Sequence, residues 1–318
     1  MAGQRKLMAL VAAGAFMLAP VAASAQDWPD GDIDLIIPSG PGGGFDVYGR
    51  VLARAMEETL DVNVLAQNVS GGGGMRGATE AFQAAPDGQT FAVFNVPGII
   101  EPVIQGEDVA YDIEQIDWLG AMAFNQYVVV VAADSPYETI EDLRAAGETI
   151  SFTGYGSSGI AANRIICAET GLDCQIITGY PSNNEALLGV VRGDAVASVP
   201  PISTAAAFNT DGDLRAILLV TNTGIDAFPE AQNAEEAGYP ALASLGLIRA
   251  FGLPPGVPDD TRAAFQEVFD TALQAQSVAD WVAETGNAYD PMDGAALSEL
   301  IASQTALLTQ YADVLAAE

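Results

Sequence analysis

From residue 33 onward, compact apolar runs alternate with amphipathic stretches. Ile33–Pro38 is short and rich in isoleucine, the signature of a buried strand, and apolar positions recur at helical spacing over Val47–Leu60. Val62–Gln67 predicts the next strand, followed by Ser70–Gly74 and a helix over Arg76–Ala84. Pro86-Asp87-Gly88 marks a turn and Thr90–Asn95 a third strand. Trp118–Val131 is apolar over a length that suits a segment crossing between domains. A second series then begins, with strands at Ile150–Thr153 and Gln175–Thr178 and helices over Ser158–Ala168 and Asn184–Arg192. Strands at Ala195–Val199 and Leu214–Val220 continue it. Helical patterns over Asp259–Thr285 and Ala295–Leu315 follow the punctuation Pro254-Pro255-Gly256.

Strands alternating with helices in two such series predict an α/β protein of two domains with mostly parallel sheets flanked by helices. The length of 318 residues suits two cores. Ligands of open α/β sheets bind beyond the carboxyl ends of the strands, which singles out the loops 39–46, 68–75, 95–98, 154–158 and 179–183.

The N-terminus is read differently. Arg5 and Lys6 precede the apolar run Leu7–Leu18, then Pro20, then Ala23-Ser24-Ala25 before Gln26. This order predicts a signal peptide over residues 1–25, cleaved after Ala25. The run is too short, too rich in alanine and too broken by Pro20 to serve as a membrane span. The only lysine leaves with it, so the mature chain carries nine arginines against 42 acids, a formal charge of −33, and no histidine.

That balance removes whole classes of function. Histidine bases and ligands, Schiff-base lysines and Walker A loops are absent, and so large a negative charge repels nucleic acid and anionic membranes. No metal or cofactor is expected. Cys167 and Cys174, an even pair in an exported chain, are expected to form a disulfide, and they offer too few ligands for a metal.

The chemistry that remains is backbone and hydroxyl chemistry. Ser39-Gly40-Pro41-Gly42-Gly43-Gly44-Phe45-Asp46 leads from a buried strand into a helix. Glycines there can turn N–H groups toward an anion at the helix start, with Asp46 expected to cap the helix. Ser70–Gly74 offers a second run of bare amides, and Arg76 beside it a charge for a second ligand carboxylate. Phe45 and Tyr155 interrupt glycine-rich loops and are expected to form ligand walls, whereas Phe124 and Tyr127 read as core of the crossing segment.

The order of these marks resembles the solute-binding proteins of tripartite tricarboxylate transporters, the TctC or Bug family. The resemblance is carried by Trp28-Pro29, Pro41 to Asp46, Asn68 with the glycines to Gly77, Pro86-Asp87-Gly88, Gly156-Ser157-Ser158 and Gly179-Tyr180. It continues through Leu214-Arg215-Ala216, Glu236 to Pro240 and Leu253 to Pro258. It implies a periplasmic two-lobed Venus flytrap of the type II-like kind that closes on a small organic carboxylate and passes it to membrane permease subunits. A monomer is expected. The implied lobes are residues 26–124 with 223–318, and 125–222.

By this resemblance the ligand is held largely by main-chain amides and ordered water. Ser39, Gly43, Gly44, Phe45 and Asp46 serve on the first loop, Asn95 and Val96 on the floor, and Tyr155, Ser157, Ser158, Tyr180, Ser182 and Asn183 on the second lobe. The chain departs from the family pattern at Ile160, where histidine is frequent, at Pro200-Pro201, where an acid is frequent, and at Phe45, where a small polar residue is usual. Two other classes remain open from sequence: a histidine-free hydrolase using paired carboxylates, and a flytrap sensor for a signalling partner.

An all-arginine, strongly acidic chain also suggests a saline habitat, where screening shortens self-repulsion. The thermal midpoint should therefore rise as sodium chloride is raised from millimolar to molar. A maximum at low salt would contradict that origin.

Overall fold

Two mixed sheets, one per lobe, organise the chain. The computed structural model describes residues 28–316, so the expected signal peptide lies outside the described residues. The first lobe opens with β1 (Ile33–Ile37), α1 (Gly44–Glu57), β2 (Val64–Asn68), α2 (Met75–Phe82), β3 (Thr90–Val96), α3 (Glu101–Ile104) and β4 (Asp117–Gln126). The second holds β5 (Val128–Ala132), α4 (Ile140–Ala145), β6 (Ile150–Thr153), α5 (Gly156–Thr170) and β7 (Cys174–Ile177). It continues with α6 (Asn183–Val191), β8 (Ala197–Ser198), α7 (Ile202–Phe208) and β9 (Leu214–Leu219). The chain then returns through β10 (Gly246–Leu253), α8 (Asp259–Leu273), α9 (Gln276–Thr285), β11 (Met292–Asp293), α10 (Gly294–Gln310) and α11 (Ala312–Ala316).

The six-stranded sheet runs β11-β4-β10-β3-β1-β2 and the five-stranded sheet β7-β6-β8-β5-β9. Strands from the two strand–helix series pair in parallel, β2 with β1, β1 with β3, β7 with β6 and β6 with β8. The strands on the crossing paths pair antiparallel: β10 with β3 and β4, and β5 with β8 and β9. The sheets are therefore mixed rather than mostly parallel. Chain passing directly between lobes lacks the crossover that parallel pairing requires.

The apolar stretch Trp118–Val131 does cross, as β4 in one sheet and β5 in the other. At the crossing, Val128 N–H donates to Pro200 O (3.1 Å) and Val220 N–H donates to Tyr127 O (3.0 Å). Two further expectations shift. The first helix starts at Gly44 rather than Val47, and the helical stretch Asp259–Thr285 is broken where Ala275 takes an extended backbone. The last helix, α11, leaves the first lobe and packs on α5, where Arg164 Nη1 donates to Leu315 O (3.2 Å) and the Tyr311 hydroxyl meets Glu169.

Burial explains the layering. One face of the first sheet packs Leu35, Phe91, Val93 and Phe251 against Tyr48 and Leu52 of α1 and Phe265 and Phe269 of α8. The Phe91 and Phe265 rings meet edge to face at 5.1 Å. The other face buries Phe94, Trp118 and Ile248 with Leu297 and Leu308 of α10. Each such side chain contributes about 1.5–3 kcal/mol by leaving water.

Cys167 and Cys174 are bonded to each other across the turn that ends α5 at Gly171 and opens β7. Closing a loop this short removes about 2–3 kcal/mol of chain entropy from the unfolded state. Reduction, or the C167S/C174S double substitution, should lower unfolding stability by that amount in urea titrations. An unchanged midpoint under reductant would show that the bond does not contribute.

Candidate functional site

The first glycine loop is held by a buried brace. Asp46 sits in the first turn of α1, but its carboxylate reaches back out of the helix instead of capping the helix's own amides. Oδ2 accepts from Gly42 N–H (2.8 Å), and Oδ1 accepts from Arg50 Nε (2.8 Å) and Asn68 Nδ2 (2.8 Å). Asn68 also donates to Ser39 O (2.8 Å) and accepts from Arg50 Nη2 (2.9 Å). Burial pushes the Asp46 carboxyl up, yet the bonds from Gly42, Asn68 and Arg50 outweigh it and hold the group below its ordinary value. Asp46 is thus a fastener of the loop, and its oxygens are spent on protein donors.

Behind this loop lies a residue that sequence reasoning missed. Arg249 of β10 is 7% exposed, and its Nε and Nη1 are buried without a hydrogen-bond partner. Its guanidinium carbon lies 4.2 Å from the Tyr48 ring centre and 5.6 Å from that of Phe45. Gly44 makes room for it: a Cβ there would come within 3.0 Å of Arg249 Nη2. Burial pulls the guanidinium's pKa down, with Tyr48 and Tyr127 acting the other way.

A cavity of about 310 Å³ opens beside Arg249 between the lobes. The first lobe lines it with Tyr48, Asn125, Arg249 and the turn 286–288, and the second with Asn184, Ser203, Thr204, Ala207 and Phe208. The Tyr48 hydroxyl donates to Ala288 O, tying α1 to that turn. Asn125 Oδ1 is buried and unpartnered, like the Arg249 nitrogens.

The other sequence candidates divide. Gly43 and Gly44 stand at the start of α1, and Phe45 is half-buried beside Arg249. Ser39 Oγ and Asn95 Oδ1 are buried and unpartnered at the ends of β1 and β3, although Asn95 Nδ2 is engaged by Gly73 O. The Val96 side chain is fully buried in the apolar core, because strand alternation turns it away from the face that carries Asn95.

In the second lobe, Tyr155 is 40% exposed before α5 and Ser158 half-buried in its first turn, while the Ser157 side chain lies outside the described residues. Ser182 caps α6 by accepting from Glu185 N–H (3.2 Å), and Asn183 begins that helix. Tyr180 lies over Gly189 of the same helix, where a Cβ would come within 2.8 Å of its hydroxyl. Buried, unpartnered Thr153 Oγ1 and Asn163 Oδ1, at the end of β6 and within α5, were not singled out from sequence. Arg76 is exposed on α2.

Comparison with known proteins gives the same fold. Residues 48–310 match the family described as tripartite tricarboxylate transporter family receptor, TctC. An Agrobacterium vitis protein described as a UPF0065 protein of the TAR-I ttuE-ttuC' intergenic region is 25% identical over 274 residues, 84% of this chain and 79% of that protein. A TctC solute-binding protein from Polaromonas superposes with a TM-score of 0.80 at 21% identity, covering 90% of this chain and 99% of that one. MatC from Rhodopseudomonas palustris, solved with bound malate, gives 0.65 at 19% identity, covering 91% and 100%.

Replacing Asp46 with Ala should lower stability at neutral pH by about 1–3 kcal/mol, because Gly42, Arg50 and Asn68 lose a buried acceptor. A carboxylate whose folded pKa is depressed stabilises above its unfolded value and loses that contribution as pH falls through the folded one. The gap between wild type and D46A in urea unfolding should therefore close as the pH drops below about 4. A gap independent of pH would assign the loss to packing alone.

Proposed function

The chain belongs to the tripartite tricarboxylate transporter receptor family, and we propose that it is an extracytoplasmic solute-binding protein that captures a small organic carboxylate between its lobes. In this reading it works as a monomer in the periplasm and delivers the ligand to the integral-membrane permease subunits of a tripartite transporter. The observation that carries the reading is the cavity shared by the lobes, lined with polar side chains from both, two of which, Arg249 and Asn125, also hold buried atoms without a protein partner. Buried polar groups are ordinarily satisfied, so a ligand or ordered water is their natural complement. A cavity of this size holds a small molecule, and hinge closure about the crossing strands would bring the α1 loop and the α6–α7 side onto it together.

The hydrolase alternative is less well supported. No Asp or Glu lines the cavity among the described residues, and Asp46, the acid at the first strand-end loop, is fully bonded. Paired-carboxylate hydrolysis needs two acids facing one bond.

A thermal-shift screen at high salt with malate, succinate, hexanoate, benzoate and amino acids tests the proposal. A matching acid at about 1,000 times its dissociation constant should stabilise the protein by about 4 kcal/mol. No shift from any acid, together with turnover of one, would replace binding with catalysis.

A further inference from the structure

Arg249 sits where a charge is hardest to keep. Along β10, Phe251 and Leu253 face the core beneath α1 and α8, while Ile248 and Ala250 face the opposite core. Strand alternation puts Arg249 on the first of these faces, amid apolar side chains. Arg50, Arg144, Arg192 and Arg262 each pair with a carboxylate. Arg249 pairs with none among the described residues, in a chain carrying 42 acids. Its compensation inside the protein is the Tyr48 ring face, with Phe45 farther off. An arginine buried without a counter-charge is costly, and a ring face offsets part of that cost.

The surroundings give the guanidinium room and a place in the cavity wall. Gly44 withholds the Cβ that would press on Nη2, Arg249 contributes to the cavity wall, and Nε and Nη1 lie buried behind it without partners. The remaining lining is neutral: amides from Asn125 and Asn184, hydroxyls from Ser203 and Thr204, and the apolar bodies of Ala207 and Phe208.

Resting on the flytrap reading, we propose that Arg249 is the ligand's charge anchor: its guanidinium, in the cavity wall and paired with no described carboxylate, bonds one ligand carboxylate directly, and the ligand is a monocarboxylate. Its remainder lies along Phe208 and Ala207, with hydroxyl or amide contacts to Ser203, Thr204 and Asn184. A second carboxylate would enter a region with no cation to meet it and would lose its hydration for neutral donors. The carboxylate supplies the counter-charge that the fold omits, so anchoring and closure share one interaction.

The test uses full-length protein with hexanoate, hexanamide, benzoate, benzamide and malate, in wild type, R249M, R249Q and R249K, read by calorimetric affinity and thermal midpoint. Wild type should bind a monocarboxylate and not its matched amide, and malate more weakly than the monoacid. R249M and R249Q should bind the acid at least about 100-fold more weakly, the scale for truncating one partner of a buried charge pair. R249K should retain part of the binding. Without ligand, R249M should melt at or above the wild-type midpoint, because it removes an uncompensated charge; a merely structural arginine would lower it.

Acid binding in R249M or R249Q equal to wild type overturns the anchor. If R249M fails to fold, equal binding by R249K and R249Q overturns it. Tighter binding of malate than of either monoacid overturns the single-charge ligand. A wild type that binds no carboxylate overturns the flytrap reading itself, and this assignment with it.

Discussion

The interaction on which the site turns is one the protein leaves incomplete, the buried guanidinium of Arg249, which pairs with no carboxylate among the described residues. A cation taken out of water loses several kcal/mol of hydration, and a cation–π contact such as that with Tyr48 returns about 0.5–2 kcal/mol. The deficit could be removed by one carboxylate, and this chain has acids in abundance. Instead the neighbours of Arg249 are a ring, a glycine that gives it room, and a cavity. Buried polar groups are ordinarily satisfied, so a group in this state calls for a partner that the described protein atoms do not supply.

Around that charge the fold spends its polar bonds on rigidity. Asp46, Arg50 and Asn68 fasten the Gly42–Gly44 turn to the ends of β1 and β2, so the first amides of α1 have a fixed direction. The Tyr48 hydroxyl, on the next turn of the same helix, ties the cavity wall to Ala288. A loop ordered before the ligand arrives loses less entropy on binding. Asn125 and Arg249 also lie on neighbouring strands, β4 and β10, close to where both paths enter the second lobe. In the proposed hinge closure, contacts at these strands would act near the hinge, where a small displacement moves a whole lobe.

Much of this was legible in the sequence because its causes are local. Apolar runs of four to six residues, glycine turns and helical spacing depend on nearby residues, and they placed the strand–helix units and the crossing segment in the right order. The brace at Asp46 is not legible in the sequence because Asn68, 22 residues on, reaches it only through the pairing of β1 with β2. At Val96 register decides: one position along a strand turns a side chain from the face that carries Asn95 into the core. Arg249 did leave a signal. In Gly246–Leu253 it is the single charged residue, and period-two alternation sets it on the face of Phe251 and Leu253. What could not be seen was that α1, two hundred residues earlier in the chain, would bring a tyrosine to it and a glycine beside it, and no acid.

The excess of acid on this chain and the one buried cation among the described residues act over different distances. Charge on the surface repels an approaching anion, but at physiological ionic strength that field fades within about 8 Å, and in brine within less. The guanidinium acts at contact, where a charge-assisted hydrogen bond is about twice as strong as a neutral one. Long-range repulsion therefore slows encounter and grows weaker with salt, while the local pair governs how long the ligand stays. An acidic surface and an anionic ligand are compatible on these terms, provided the one cation that meets the ligand is not quenched beforehand by any of the 42 acids. The fold meets that condition by burying Arg249 on the core face of a strand, flanked by rings and glycine, where none of the described carboxylates bonds to it.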